Sequence, residues 1–368
     1  MTKAAGTSPA HPALDLAIEI LADLVAFPSV SLQPNDTIVS YIETRMRDLG
    51  MRCVRDAHED GHLFNLLASA GPQRPGGVLL SGHMDVVPAS PDGWTGDPFI
   101  LRRDDGRLHG RGAVDMKGFI AIVLASLPDI MAQADSLSMP LHVALSFDEE
   151  TGFFGASQLP AFFDSIGLRA EIAIIGEPTN MQPFVGHKGG MELTTVVTGT
   201  SGHASQPAGT VNAVYYAARL VDFMRSCADD LAAAPIEGSP FNPPHTSLSV
   251  GVIRGGEARN IIPDRCEIDW EIRAHPGDDP HQYLGRVTDF ITHGLVPEMT
   301  SIDPRAGIET HMLCDAPPLE ARPDGPAANL VARLWTNETP QVVSFGTDAP
   351  FFQKAGMDTV IFGPGGMA

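Results

Sequence analysis

The chain has 368 residues, 43% of them apolar, which is enough for about two domains with real hydrophobic cores. Its 45 acidic and 24 basic residues give a formal net charge of −21, which repels phosphate backbones and anionic membranes, so neither nucleic acid nor a membrane is expected as a partner. Its four cysteines include no CxxC pair, and the sequence shows neither a secretory signal nor a membrane span of roughly 20 apolar residues. The chain is therefore expected to be a soluble cytoplasmic protein.

The first half of the chain alternates helical and strand patterns. Apolar residues recur at helical spacing over 13–27, where Pro28 follows, and again over 36–50. Further along, we expect strands at "GVLLSGH", "PLHVALSF" and "AEIAIIG", and helices at "AVDMKGFIAIVLASLPDIM" and "LPAFFDSIG". This alternation predicts the α/β class, with a mostly parallel sheet that carries helices on both faces.

The pattern changes after Pro183. The segments "GGMELTTVVTGTSG" and "RCEIDWEIRA" alternate apolar and polar residues, as half-exposed strands do, and a helical pattern lies between them at "NAVYYAARLVDFMRSCADDLAA". We therefore expect an inserted α+β domain over residues 184–294. The α/β pattern returns afterwards and ends in "MDTVIFGPGG", so residues 1–183 and 295–368 are expected to form one domain together.

Polar residues directly follow several of the expected strands, where an α/β sheet has its ligand-binding crevice. In "VLLSGHMDVVP" an apolar run ends in a histidine and an aspartate, and carboxylates take similar positions in "HGRGAVDMKG", "SFDEETG" and "IIGEPTN". Nitrogen and oxygen ligands without thiolates suit Zn²⁺, Co²⁺ or Mn²⁺, and carboxylates can bridge two such ions. We therefore predict a dinuclear hydrolytic site built from His83, Asp85, Asp115, Glu149, Glu150 and Glu177.

Each member of this set also has a purely structural explanation. His83 alone could be a turn residue, but Asp85 two positions later can orient its imidazole, as metal-bound histidines require. Asp115 could cap the helix that follows it. Glu149 and Glu150 could be solvated loop residues, or they could provide one metal ligand and one general base. Glu177 could be a polar loop residue without a role in the site. The metal-site hypothesis therefore depends on the whole group.

Other catalytic motifs are missing from the sequence. The segment "GRGAVDMKG" resembles a dinucleotide-binding GxGxxG only superficially, because its third position is Asp115, whose charge would repel a pyrophosphate. The sequence contains no Walker A loop, no HExxH and no GxSxG elbow, so it offers no candidate for nucleophilic catalysis.

Taken together, the motifs resemble those of one known family. In order along nearly the whole chain, the sequence is similar to the signatures of the zinc-dependent deacylase and peptidase family at "SGHMDVVP", "GRGAVDMKG", "DEETG", "GEPT", "GTSGHASQP", "RNIIPDRCEIDWEIR" and "FGTDAPFFQKAGMDTVIFGPG". The family contains acetylornithine deacetylase, succinyl-diaminopimelate desuccinylase, aminoacylases and glutamate carboxypeptidases. The first of these is resembled most at "VGHKGG", "VNAVYYAARL" and "GTDAPFFQKAG".

The resemblance implies which residues bind metal. His83, Asp115 and Glu177 would bind one ion, and Asp115 would bridge it to a second ion that Glu150 also holds. Two Zn²⁺ ions per chain are expected, with Co²⁺ or Mn²⁺ as alternatives.

The resemblance also implies the remaining roles in the site. Glu149 would be the general base and Asp85 the partner of the metal-bound histidine. His203 in "SGHAS" would reach the active site of the other subunit and stabilise the tetrahedral oxyanion, and Asn260 and Arg273 would contact substrate, Arg273 at its α-carboxylate. Structural alternatives are a surface loop histidine for His203 and an ion-paired strand residue for Arg273.

The activity that the resemblance implies is hydrolysis of N-acetyl-L-ornithine to L-ornithine and acetate in arginine biosynthesis. A homodimer is expected, with residues 184–294 as its lid or dimerisation domain. The sequence leaves open another N-acyl-amino-acid amidohydrolase, such as succinyl-diaminopimelate desuccinylase or an aminoacylase. A non-catalytic dimeric binding protein on the same fold is the alternative from a different class.

The resemblance ends abruptly at the C-terminus. The family pattern continues past "GPGG" with a histidine that holds the second metal, a few residues beyond Ala368, and our expectation is a sequence cut short within this motif. The non-catalytic alternative would be favoured only if that histidine were truly absent. Retention of Glu149 argues against it, because a binding protein needs no general base.

Overall fold

The structure is a computed structural model, and it describes residues 12–90, 92–335 and 338–366. The segment 1–11, where no secretory signal is expected, lies outside the described residues. The metal-binding histidine expected beyond Ala368 lies outside them too.

The regular elements of the described chain include those that the alternating patterns predict, together with further strands that the patterns did not predict. The α-helices are α1 (Pro12–Ala26), α2 (Asp36–Asp48), α3 (Lys117–Met131), α4 (Glu149–Gly152), α5 (Phe154–Ile166), α6 (Ala213–Ala232), α7 (Pro280–Asp289), α8 (Val296–Ile302), α9 (Pro326–Leu334) and α10 (Ala349–Lys354). The strands are β1 (Arg52–Ala57), β2 (Phe64–Ala70), β3 (Val78–His83), β4 (Arg102–Asp104), β5 (Arg107–His109), β6 (Leu141–Ser146), β7 (Ile172–Ile175), β8 (Phe184–His187), β9 (Gly190–Thr198), β10 (Gly202–His203), β11 (Ser247–Gly255), β12 (Ile261–Ile262), β13 (Arg265–Arg273), β14 (Gly307–Ala316), β15 (Gln341–Val343) and β16 (Asp358–Ile361). A 3₁₀ turn (Ala134–Ser136) and a π-helical segment (Phe290–Leu295) complete the set.

The chain divides into two units. The first unit comprises Met1–Val185, Arg322–Gln341 and Thr347–Ala368, and the second comprises Gly186–Ala321 and Val342–Gly346. The boundary expected after residue 294 therefore falls later, after Ala321. The physical reason is that β14 pairs antiparallel with β9 over its whole length, which adds residues beyond 294 to the sheet of the second unit.

The main sheet has the strand order β1-β2-β6-β3-β7-β16-β8-β15. Its central strands β6, β3, β7 and β16 are parallel, and β1 and β2 extend it as antiparallel strands. The side chains of β2 alternate between the two faces: Leu66 and Ala68 join the core formed with α1, α2 and α3, whereas Asn65 donates to the backbone oxygen of Gly155 in α5. The predicted α/β fold with helices on both faces is confirmed.

The second unit is α+β in character. Its sheet has the order β11-β13-β9-β14, all antiparallel, and α6 contributes Leu220, Met224 and Cys227 to the buried core against it. Helix α6 begins where Asn212 accepts a hydrogen bond from the backbone nitrogen of Tyr215, a regular N-cap.

Candidate metal centre

The strand register brings the predicted site residues of the first unit to one edge of the main sheet. His83, the last residue of β3, is the parallel partner of Ser146, the last residue of β6. On its other side β3 pairs with β7, which ends two residues before Glu177. Because the carboxyl ends of neighbouring parallel strands meet at the same edge, the segments that follow them converge there. Glu149 and Glu150 lie in the turn after β6.

The imidazole of His83 lies at the centre of this convergence and is buried. Its Nε2 atom lies 3.0 Å from Oδ1 of Asp115, 3.9 Å from Oε1 of Glu177 and 4.0 Å from Oε2 of Glu149. Potential ligand atoms lie within 4.8 Å of one another in two groups that share the histidine, one completed by Glu149 and Glu177 and the other by Asp115 and Glu150. The structure thus brings all the predicted ligands together.

Asp85 lies on the opposite side of the imidazole. The Nδ1 atom of His83 is 3.0 Å from the backbone oxygen of Asp85 and 3.5 Å from its Oδ1. Because Nδ1 donates to Asp85, Nε2 is the ring nitrogen that faces the carboxylates, and it would bind a metal ion once it loses its proton. The Asp85 carboxylate also accepts hydrogen bonds from Ser31 Oγ, 2.7 Å away, and from the backbone nitrogens of Glu149 and Glu150.

The loop that carries Asp115 is fixed from its C-terminal side. Lys117 begins α3, and its ammonium is completely buried, where it donates to the backbone oxygen of Phe27 at 2.8 Å. Burial lowers the pKa of Lys117 to about 7. No local sequence pattern indicates a role for this lysine, because its partner lies 90 positions away in the chain.

The electrostatics of the cluster are those of several acids sharing a small volume. Burial and the nearby carboxylates, Asp348 among them, outweigh the lowering effect of His83. They raise the pKa of Glu149 well above its ordinary range and that of Glu177 to about 8. Burial alone would lower the pKa of His83, but its hydrogen bonds to Asp115 and Asp85 outweigh burial and raise it well above 6.5. The site without a cation therefore holds protons that a bound cation would displace.

The residues present fit a divalent cation. The donor set is one imidazole and several carboxylates, which is a hard to borderline set without sulfur. Moreover, Oε1 of Glu177 is buried and has no hydrogen-bond partner in the described chain, an arrangement that costs free energy unless a cation or proton satisfies it.

Asp348 is a buried carboxylate that the sequence analysis missed. Its Oδ2 accepts a hydrogen bond of 2.6 Å from Ser146 Oγ, at the end of β6, and its Oδ1 is buried without a hydrogen-bond partner among the described residues. Burial raises its pKa to about 6. In the sequence, the aspartate of "GTDAP" resembles an ordinary N-cap residue of helix α10. In the structure its side chain forms no capping hydrogen bond, a difference that the sequence does not show.

The remaining predicted site residues belong to the second unit. His203 on β10 pairs with Ile261 on β12, and the backbone nitrogen of Ala204 donates to the backbone oxygen of Asn260, so His203 and Asn260 lie together. The imidazole is exposed, with Nδ1 2.7 Å from the hydroxyl oxygen of the nearby Ser205. A cavity of about 850 Å³ lies beside this pair of short strands.

Arg273 lies on the other sheet of the second unit, at the end of β13. Its Nε and Nη2 atoms donate to Oε2 of Glu271, at 3.0 and 2.6 Å, and Nη2 lies 3.7 Å from Oε1 of Glu192. The guanidinium is thus ion-paired in this structure, which corresponds to the structural alternative for this residue.

This fold and this convergence of a histidine and carboxylates define a metal-dependent hydrolase. The chain belongs to Peptidase family M20/M25/M40, whose sequence pattern matches residues 79–368. An acetylornithine deacetylase of Klebsiella pneumoniae (strain 342) is 36% identical over 356 residues, which cover 95% of this chain and 89% of the relative. The family resemblance noted in the sequence is therefore confirmed.

Solved structures show the same fold. A tripeptidase from Staphylococcus aureus superposes with a TM-score of 0.71 at 21% identity, covering 95% of this chain and 89% of that one. An M20 family metallo-carboxypeptidase from Sulfolobus solfataricus gives a TM-score of 0.74 at 16% identity, covering 94% and 90%. Within the described residues, no helix is both long and apolar enough to cross a membrane.

Proposed function

We propose that the protein hydrolyses N-acetyl-L-ornithine to L-ornithine and acetate, a step of arginine biosynthesis. The observation that supports metal-dependent amide hydrolysis is the buried cluster around His83, in which Glu149 lies next to the expected ligands. The choice of substrate is supported by the similarity to acetylornithine deacetylase over 95% of the chain.

In the proposed site, His83, Asp115 and Glu177 would hold one Zn²⁺ ion, and Asp115 and Glu150 would hold a second. Bound there, the cations would polarise the scissile carbonyl and lower the pKa of the attacking water. Asp85 keeps the imidazole of His83 in the tautomer that binds metal. Co²⁺ and Mn²⁺ suit the same donors and would be alternatives.

Glu149 is the proposed general base. It removes a proton from the attacking water and later delivers that proton to the leaving amine. Without a bound cation, burial is the largest cause that raises its pKa. In the structure Glu149 groups with His83 and Glu177 as closely as a ligand would, so a ligand role is the alternative that mutagenesis must exclude.

We further propose that His203 acts in the active site of the partner in a homodimer, where it stabilises the oxyanion. Its exposure in the second unit supports a role toward another molecule. Asn260 and Arg273 would contact the substrate, and Arg273 would exchange its ion pair with Glu271 for the substrate carboxylate. The four cysteines are free and buried, which is consistent with the reducing cytoplasm.

The substrate assignment is tested by measuring amine release from N-acetylornithine, N-succinyl-diaminopimelate and N-acetylmethionine, with metal content determined on the same sample. The proposal expects the highest kcat/KM for N-acetylornithine and about two metal ions per chain. A preference for either other substrate would assign the chain to desuccinylases or aminoacylases. No turnover of any substrate by fully metallated protein would support the non-catalytic alternative.

The dimer proposal is tested by mixing two inactive variants, Glu149→Gln and His203→Ala. If His203 acts across the dimer, a mixed dimer has one site with an intact base and an intact partner histidine, so activity returns on mixing. Each variant alone is the control. Activity that does not return, although the subunits exchange, would place His203 in its own subunit's site or outside catalysis.

A further inference from the structure

A second cavity, lined by both polar and apolar residues, lies in the first unit, at the amino-terminal end of β6. Its volume is about 420 Å³. The lining combines residues on one face of the main sheet with residues of two loops, and it includes Arg52, Ser69, Arg74, His142 and Arg169. Three arginines around one small cavity are a marked local concentration of cations in a chain with a net charge of −21.

The floor of the cavity is fixed by strand register. Arg52 on β1 is the cross-strand partner of Ser69 on β2, and Ser69 is the partner of His142 on β6. The three side chains therefore form a row across neighbouring strands, on the face opposite Leu66 and Ala68, which join the core. Ser69 Oγ and His142 Nδ1 are hydrogen-bonded at 2.8 Å.

Two of the arginines lack an acidic partner. Within the described chain, Arg52 donates only to the backbone oxygen of Gly71, at a long 3.5 Å. Arg74 is held against the backbone oxygen of Ser138 and the sulfur of Met139, and neither arginine forms an ion pair with a described carboxylate. Both arginines are exposed, and no ion pair with a described carboxylate neutralises their charges.

Neighbouring arginines are different. Arg55, on the same strand as Arg52 but on the other face, pairs with Asp36 at 2.5 Å and with Glu43 at 2.6 Å. Arg169, the third arginine of the cavity, has Asp164 at 3.0 Å. Arg52 and Arg74 thus differ from Arg55 and Arg169 in having no ion pair with a described carboxylate.

His142 supplies a neutral donor to the same cavity. Only 8% of its surface is exposed, and burial together with the charge of Arg52 lowers its pKa to about 4. At neutral pH the side chain is therefore uncharged. Because one hydrogen of the Ser69–His142 pair is used in their mutual hydrogen bond, the pair offers one further polar hydrogen without adding a buried cation.

We propose that this cavity binds a small anion that carries a phosphate group. Arginine forks bind carboxylate and phosphate alike, but here the guanidinium groups come from separate segments. Arg52 lies on β1 and Arg74 in the loop after β2, and Arg169, in the loop after α5, already pairs with Asp164. Donors that approach from several directions match the tetrahedral oxygens of phosphate better than the two coplanar oxygens of a carboxylate.

This site is separate from the metal centre. His142 is the second residue of β6 and Ser146, beside His83, is the last. Four residues of extended strand separate them by about 13 Å, at roughly 3.3 Å per residue. An anion bound at His142 therefore does not contact the proposed catalytic residues, and the inference stands independently of the substrate assignment.

The test uses the metal-loaded protein and inorganic phosphate as the probe. The pH titration of the His142 imidazole is followed by NMR, with the signal assigned by comparison with His142→Gln. Phosphate is expected to raise the pKa of His142 by about one unit, because a bound anion stabilises the imidazolium. The double variant Arg52→Gln/Arg74→Gln should abolish this shift and weaken phosphate binding in calorimetry about tenfold or more.

Arg103→Gln, on the exposed strand β4, is the matched control and should leave both readouts unchanged. An unchanged His142 titration in phosphate would overturn the proposal. So would an equal effect of acetate, which would make this a carboxylate site. Phosphate binding that persists undiminished in the double variant would assign the anion to the metal centre instead, and would also overturn it.

Discussion

The carboxylate of Asp85 accepts hydrogen bonds from the backbone nitrogens of Glu149 and Glu150, at 3.1 and 3.3 Å, across 64 and 65 positions of sequence. The same residue lies against Nδ1 of His83. One buried aspartate thus orients an expected metal ligand and also fixes the turn that carries the proposed base.

We expect Asp85→Asn to lower metal affinity by about 10- to 100-fold, because the amide presents one oxygen and one NH₂ group where two oxygens now accept. Metal affinity is measured by competition with a chelator. Asp48→Asn, at an exposed position of α2, is the control. Affinity that stays the same in Asp85→Asn would show that the imidazole is oriented by other contacts.

We expect Glu149→Gln to lower kcat by roughly 10²- to 10⁴-fold while the metal content per chain is retained, because the amide cannot accept a proton from water. The measurement pairs steady-state kinetics with metal analysis. Glu59→Gln changes an exposed glutamate and should be silent. Loss of metal together with activity would instead make Glu149 a ligand.

Metal removal is expected to make stability depend on pH near neutrality. Glu177 has a pKa of about 8 in the folded chain against an ordinary 4.5, so the folded state without a cation binds more protons between these values. The contribution of Glu177 to the stability of the chelated protein should therefore fall as pH rises from about 4.5 to 8, and metal affinity should rise over the same range. Urea unfolding at a series of pH values, with and without metal, measures the difference that metal makes, in which the contributions of His142 and His187 cancel. A stabilisation by metal that does not change with pH would contradict the raised pKa.

Gly176 precedes Glu177, and a Cβ there would lie 2.0 Å from the ring of Phe119 on α3. We expect Gly176→Ala to destabilise the fold by about 2 kcal/mol and to weaken metal binding, because the ring and the strand end must move apart. Gly96→Ala is the matched control, since a Cβ there has no atom within 4 Å. Equal free energies of unfolding for the two variants would show that α3 moves away without a loss of stability.

Acid should destabilise the protein through its buried histidines. Burial lowers the pKa of His142 and that of His187 to about 4, against 6.5 ordinarily, so the unfolded state binds more protons between these values. Their contribution is complete above about pH 6.5 and is lost as pH falls toward 4. His142→Gln should reduce the loss of unfolding free energy between pH 6.5 and 4.5, measured in urea, and an unchanged slope would contradict the assignment.

The sequence by itself determined the elements and most of the expected metal ligands. Apolar periodicity is a local property, so α1, α2 and the strands β3, β6 and β7 could be predicted, together with the polar residues that follow each strand. The parallel arrangement followed from the alternation of helices and strands, and it makes those strand ends converge.

Only the tertiary structure decided which distant groups complete the site and where the second unit ends. The Ser146–Asp348 hydrogen bond joins residues 202 positions apart, and the pairing of β14 with β9 moved the boundary beyond residue 294. Hydrogen-bond partners and burial at such separations depend on the folded packing of the whole chain. The lowered pKa of Lys117 and the absence of an ion pair at Arg52 also leave no signal in the sequence. Both depend on which residues the folded chain places nearby.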